Sequence, residues 1–192
     1  MMSKPTRRHT YIVGALLAGL LAAAGCHRSG SKADFVSLKD PYFPEHYDVN
    51  FDRCVYRTDP GGDLRVVACR EEPAAEPDTP AVTQYLFVQV YWSPHPGKTP
   101  ADTTGSNALL RYVVARGDGV AVYAGTGFAY PKGGEGKPLQ LDVEWARLRL
   151  ETVSGEVPDL LGDARLTARL MAREDPGHAA AWVRAMDRCA LR

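Results

Sequence analysis

Histidine and cysteine are scarce in this sequence: 192 residues hold 5 His and 4 Cys. Beyond residue 27 the histidines are His46, His95 and His178, and no HExxH or CxxC spacing occurs. The common zinc motifs are therefore missing and no metal or other cofactor is expected. A serine nucleophile elbow of the G-x-S-x-G type is missing as well. Gly97-Lys98 and Gly136-Lys137 look like the ends of phosphate-binding loops. Trp92 and Pro131 stand where that motif needs its first glycine. Basic residues are not in excess, with 23 Lys+Arg against 23 Asp+Glu, so nucleic acid is not an expected partner. Long apolar runs are nearly missing. The one extended run, Tyr11–Ala24, is shorter than the roughly 20 residues that span a bilayer.

What surrounds that run is informative. Lys4, Arg7 and Arg8 precede it, and Gly25-Cys26 and a polar stretch follow it. A basic segment, a short apolar segment and small residues at the end have the form of an export signal. Leu21-Ala22-Ala23-Ala24-Gly25-Cys26 resembles the lipobox of bacterial lipoproteins, whose signals are cut by signal peptidase II. Ala23 departs from the family pattern, which usually has Leu there. The resemblance implies that residues 1–25 are a signal peptide, that Cys26 carries lipid, and that the protein is held to a membrane of the cell envelope. Two or three acyl chains on one residue hold firmly, since each buried CH₂ contributes about 0.8 kcal/mol. Residues 26–34 then read as a lipidated tether and residues 35–192 as a single β-rich domain. Losing residues 1–25 leaves the mature chain with three more acidic than basic groups.

Beyond the tether, apolar residues recur at every second position, which is the strand signature. Strands are expected near Val49–Arg57, Leu64–Arg70, Gln84–Trp92, Ala108–Ala115 and Val120–Tyr130, with another from Leu139 whose phase slips near Ala146. Arg165–Arg173 fits a half-exposed strand better than a helix. Asp175-Pro176 opens a C-terminal helix to about residue 190, with Trp182, Val183, Met186 and Cys189 on one stripe. The fold class is mainly β: an antiparallel sandwich or curled sheet of about seven strands with one helix packed on it.

Three cysteines remain after Cys26. A hairpin turn symmetric about Gly61-Gly62 places Cys54 opposite Cys69, so a Cys54–Cys69 disulfide is expected in an oxidising compartment. Cys189 reads as a small buried hydrophobe. Asp142 and Glu144 form the best carboxylate pair, although a solvated strand face explains them. Arg116-Gly117-Asp118 sits where a hairpin must turn. The long segment 93–107 is the candidate binding loop, with Trp92, His95, Lys98, Asp102 and Thr104 as its residues. Two functions follow. One is a non-catalytic envelope module that binds a partner protein or a wall polymer. The other is a hydrolase or carbohydrate-active enzyme that uses Asp or Glu. A third option is an assembly accessory that uses exposed strand edges.

Overall fold

The computed structural model describes residues 30–40, 42–74, 76, 80–94 and 105–190. Cys26 and the expected signal segment lie outside them, as do His95, Lys98, Asp102 and Thr104. The described chain is mainly β, with one C-terminal helix. The strands are β1 (Ser31–Ser37), β2 (Glu45–Phe51), β3 (Arg53–Thr58), β4 (Leu64–Glu72), β5 (Val82–Val90), β6 (Ala108–Arg116), β7 (Gly119–Gly133), β8 (Leu139–Ser154) and β9 (Ala164–Glu174). All nine belong to one sheet, in the order β2-β1-β9-β3-β4-β5-β6-β7-β8, and β9 also pairs with β8. That extra ladder closes the sheet on itself. Every pairing is antiparallel except a short parallel contact of Val55 and Tyr56 with Arg173 and Glu174. The expectation of about seven antiparallel strands is thus corrected to nine in one mixed sheet, and the curled alternative, not the sandwich, describes its shape.

Period two explains the closure. Phe35, Val49, Phe51, Val66, Leu86, Leu110, Leu141, Leu166 and Leu170 all face one side of their strands and pack into one core. A sheet with one continuous apolar face removes most water from it by rolling up. Small residues allow the roll on β7 and β8. A Cβ on Gly125 would lie 1.7 Å from the Arg147 carbonyl oxygen, and one on Gly127 2.5 Å from the Ala146 methyl. The register shifts between Val143 and Ala146, the bulge that the slipping apolar phase predicts. Trp145 is the bulged residue, with φ 55° and its ring in solvent.

β1 was not foreseen. Ser31–Asp34, expected in the tether, belong to this strand, with Lys32 opposite Arg169 and Asp34 opposite Thr167. β9 is a strand, as its alternation suggests. The helix α1 (Pro176–Ala190) begins where Asp175 accepts the His178 amide at 2.9 Å. Ala179, Trp182 and Met186 are its buried face. That face covers Val67, Cys69, Phe87, Val113 and Val122 on the outside of the sheet. The Arg53 guanidinium lies 5.1 Å from the Trp182 ring centre.

The expected disulfide is overturned by one residue of register. The β3–β4 turn is not symmetric about Gly61-Gly62. Asp59 and Asp63 close a turn of Pro60, Gly61 and Gly62, with Gly62 at φ 89°. Cys54 therefore faces Ala68, and Arg53 faces Cys69. A slip of one residue sends a side chain to the opposite face. Cys54 lies in the barrel core, whereas Cys69 lies outside it, beneath the helix. Both are free thiols. Burial pushes each up to about 12, with Ser31 partly offsetting the effect at Cys54 and Glu71 adding to it at Cys69, so neither is a nucleophile. Mass spectrometry after alkylation in non-reducing denaturant should find Cys54 and Cys69 unlinked to each other. A Cys54–Cys69 cross-linked peptide would contradict the register.

Candidate functional site

The barrel has two distinct ends. The base holds the β3–β4 and β7–β8 turns, the start of β1 and the exit to α1. The mouth holds the β1–β2, β4–β5 and β6–β7 turns and the segment between β8 and β9. Of the described residues singled out by sequence, Trp92, Asp142 and Glu144 lie towards the base. Trp92 is 44% exposed and packs edge-on against Phe128, with ring centres 5.6 Å apart. Phe128 in turn meets Tyr130. Glu144 and Trp145 are exposed on the outer face. Asp142 is drawn into ion pairs with Arg169 at 2.8 Å and Lys132 at 3.1 Å. Burial opposes its ionisation, but Arg169, Gln140 and Lys132 outweigh that and hold its carboxyl below the usual range. A carboxylate fixed in this way is a poor proton donor at neutral pH.

Asn107, which sequence reasoning passed over, holds the base together. It is 1% exposed, and its side chain uses both ends. The amide nitrogen donates to the carbonyls of Trp92 at 2.9 Å and Ala129 at 2.8 Å, and the amide oxygen accepts the Ala129 N–H at 2.7 Å. It thereby joins the residue that follows β5 to β7. An Asn before an apolar strand carries no signal in sequence that separates this clamp from an ordinary loop end.

The concave site is at the mouth, opposite to Trp92. Val82 and Trp92 are separated by ten residues of mostly extended chain, roughly 30 Å at strand spacing. A cavity of about 530 Å³ opens there, within the usual span of small-molecule sites, about 300–1,000 Å³. Phe35, Tyr112 and Tyr123 form its aromatic wall, with ring centres 4.4 Å apart for the first two and 6.1 Å for the last two. Val49, Val82, Val114, Val157 and Leu161 add to the apolar lining. The cavity exists because β2 and β4 part company. The β3–β4 ladder ends at Arg53–Cys69, and among the described residues no ladder joins Glu45–Asn50 of β2 to Arg70–Glu72 of β4. Asp52 sits at the fork, where its carboxylate accepts the Glu71 amide at 3.0 Å.

Strand alternation sets what faces this space. Val66 and Ala68 point into the core, so Arg70 and Glu72 follow them inward. Leu110 and Tyr112 are followed inward by Val114 and Arg116. A hydrogen-bonded chain crosses the wall. Tyr112 donates to Gln84 at 2.6 Å, Gln84 donates to Glu72 at 3.0 Å, and Arg70 pairs with Glu72 at 2.8 Å. His46 and Asp48 also line the cavity but stand on the outward phase of β2, and His46 lies 3.4 Å from Asp34.

A strap of residues 157–163 roofs one side. Tyr123 Oη donates to Asp159 at 2.9 Å and accepts the Leu160 and Leu161 amides. Asp159 also accepts the Gly162 amide at 2.8 Å and pairs with Lys39 at 3.0 Å. Ser37 donates to the Leu161 carbonyl at 2.8 Å. Burial pushes the Tyr123 phenol up to about 12, with the Leu161 amide partly offsetting it. Tyr112 is raised further, mainly by burial. Both phenols are therefore neutral at physiological pH. Burial opposes ionisation of Asp159, yet the Gly162 amide, Lys39 and Tyr123 together hold its carboxyl below the usual range. Among the described residues, no three His, Cys, Asp or Glu side chains are placed to hold a metal ion. Comparison with family models, with curated proteins and with solved structures gave no match.

Two outcomes are expected. Asn107→Ala leaves a buried amide and two carbonyls without their partner and should lower unfolding stability by about 2–4 kcal/mol in urea titration. The acid limb of stability should depend on Asp159. Its folded pKa lies below its unfolded one, so its contribution is complete above about pH 4 and is lost as pH falls through the folded value. Urea midpoints measured from pH 6 to pH 2 should fall less steeply for Asp159→Asn than for the parent.

Proposed function

We propose that this chain is a cell-envelope lipoprotein, held to a membrane by acyl chains on Cys26, and that its barrel is a non-catalytic binding module whose site is the mouth. The anchor reading rests on the basic segment, the apolar run and the Leu21–Cys26 pattern. The start of β1 at Ser31 fits it, because five residues of chain reach at most about 18 Å, which keeps the base near the bilayer surface and the mouth away from it. The observation that carries the binding reading is the mouth cavity itself, an apolar, aromatic-walled space above the packed core of the barrel. A carboxylate-dependent hydrolase is not favoured. Asp142 and Glu144 lie outside the barrel, and Glu72, which faces the cavity, is tied to Arg70 and Gln84. The exposed aromatic surface around Trp92 supports a second contact at the base, with an envelope protein or wall polymer.

Expression in bacteria with radiolabelled palmitate tests the anchor. The parent should take up label and sediment with membranes, and Cys26→Ala should lose both. A Cys26→Ala chain that is labelled and fractionates like the parent would remove the lipoprotein reading.

A further inference from the structure

We propose that the mouth cavity takes a small amphipathic monoanion, with its apolar body against Phe35, Tyr112 and Tyr123 and its acid group at Arg116. The inference rests on the binding-module reading and adds the chemical class of the ligand.

Three observations lead there. The first is the lining, which is apolar and aromatic below and charged only at the rim. A ligand complementary to it is apolar at one end and polar at the other. The second is how the polar groups within reach are already used. Tyr123 is engaged with the strap at both donor and acceptor positions. Tyr112, Gln84, Glu72 and Arg70 satisfy one another along the wall. These groups already hold one another, so only part of their hydrogen-bonding capacity is left for a ligand.

The third observation is charge. On the inward phase of β4 and β6 the rim carries Arg70, Glu72 and Arg116. Arg70 and Glu72 compensate each other at 2.8 Å. Among the described residues, no carboxylate lies within ion-pair distance of Arg116, which is exposed at the end of β6. Glu45 accepts the Tyr47 hydroxyl at the far corner of β2, outside the cavity lining. Asp48, also in the lining, stands on the outward phase of β2. Among the described residues, Arg116 is therefore the inward-phase guanidinium of the lining without an ion-pair partner. A planar guanidinium matches a carboxylate or a phosphate ester with paired N–H donors. Arg116 is also fixed in place by its backbone, since it pairs with both Val82 and Gly119 across the Gly117-Asp118 turn.

The test uses a chain beginning at His27, which keeps every described strand and the helix and excludes acyl chains from the assay. Circular dichroism and a cooperative melt establish its fold first. N-phenyl-1-naphthylamine, a neutral apolar fluorophore, reports the cavity, and decanoate and decan-1-ol compete with it at pH 7.5. The expected result is fluorophore binding, with decanoate displacing it about tenfold more effectively than decan-1-ol, the scale a charge-assisted hydrogen bond supplies. Arg116→Gln should erase that advantage and leave decan-1-ol unchanged. Val114→Trp, which fills the cavity, should abolish fluorophore binding, and Val82→Trp at the rim serves if the first variant fails to fold. Equal displacement by the two competitors, or an advantage that survives Arg116→Gln, would overturn the anionic class while leaving the cavity a binding site. A folded parent that does not bind the fluorophore would overturn the binding reading and the ligand class together.

Discussion

β9 is the strand on which this architecture depends. It pairs with β8 along one edge and with β1, and briefly β3, along the other. Without those ladders the sheet is an open ribbon whose apolar face, from Phe35 to Leu170, meets water. With them the face becomes an interior. Each fully buried Leu, Val or Phe side chain is then worth about 1.5–3 kcal/mol relative to exposure. The helix is secondary to this. It covers an outer patch on β4–β7 and leaves the interior to the strands.

Closure also accounts for where the cavity lies. Side chains fill the barrel from the base upward, with Leu139, Leu141, Leu170 and Tyr56 low and Phe35, Tyr112 and Tyr123 high. Above those rings β2 has left β4, so the circumference opens where the supply of inward apolar residues stops. The strap at 157–163 covers only part of the gap. It is tied down by Tyr123, Lys39 and Ser37 and is not built from a strand of its own.

Much of the fold was legible because period two is a local signal. The strands from Leu64 to Tyr130, the slip near Ala146, the alternation of Arg165–Arg173 and the Asp175-Pro176 helix start follow from neighbouring residues alone. β1 was hidden because Ser31, Lys32 and Asp34 carry the composition of a tether, and its strand character comes from pairing with β9, far along the chain. The Cys54–Cys69 expectation failed on a turn of three residues instead of two, a difference that Pro60-Gly61-Gly62 does not declare in sequence. The mouth went unread for the same reason as β1. Phe35 lies far along the chain from Tyr112, Arg116 and Tyr123, and only closure brings these three strands to one space. The loop 93–107 drew attention by its length, a property of one segment.

Glu45–Asn50 pair with β1 along one edge, and the edge of β2 that faces β4 has no ladder partner among the described residues. Such an edge invites a strand from another molecule, the usual start of aggregation. Here the strand carries Glu45, His46 and Asp48 within four residues, and across the gap stand Arg70 and Glu72. A second copy approaching edge to edge would set acid against acid. The unpaired edge is thereby kept unattractive to the protein's own kind.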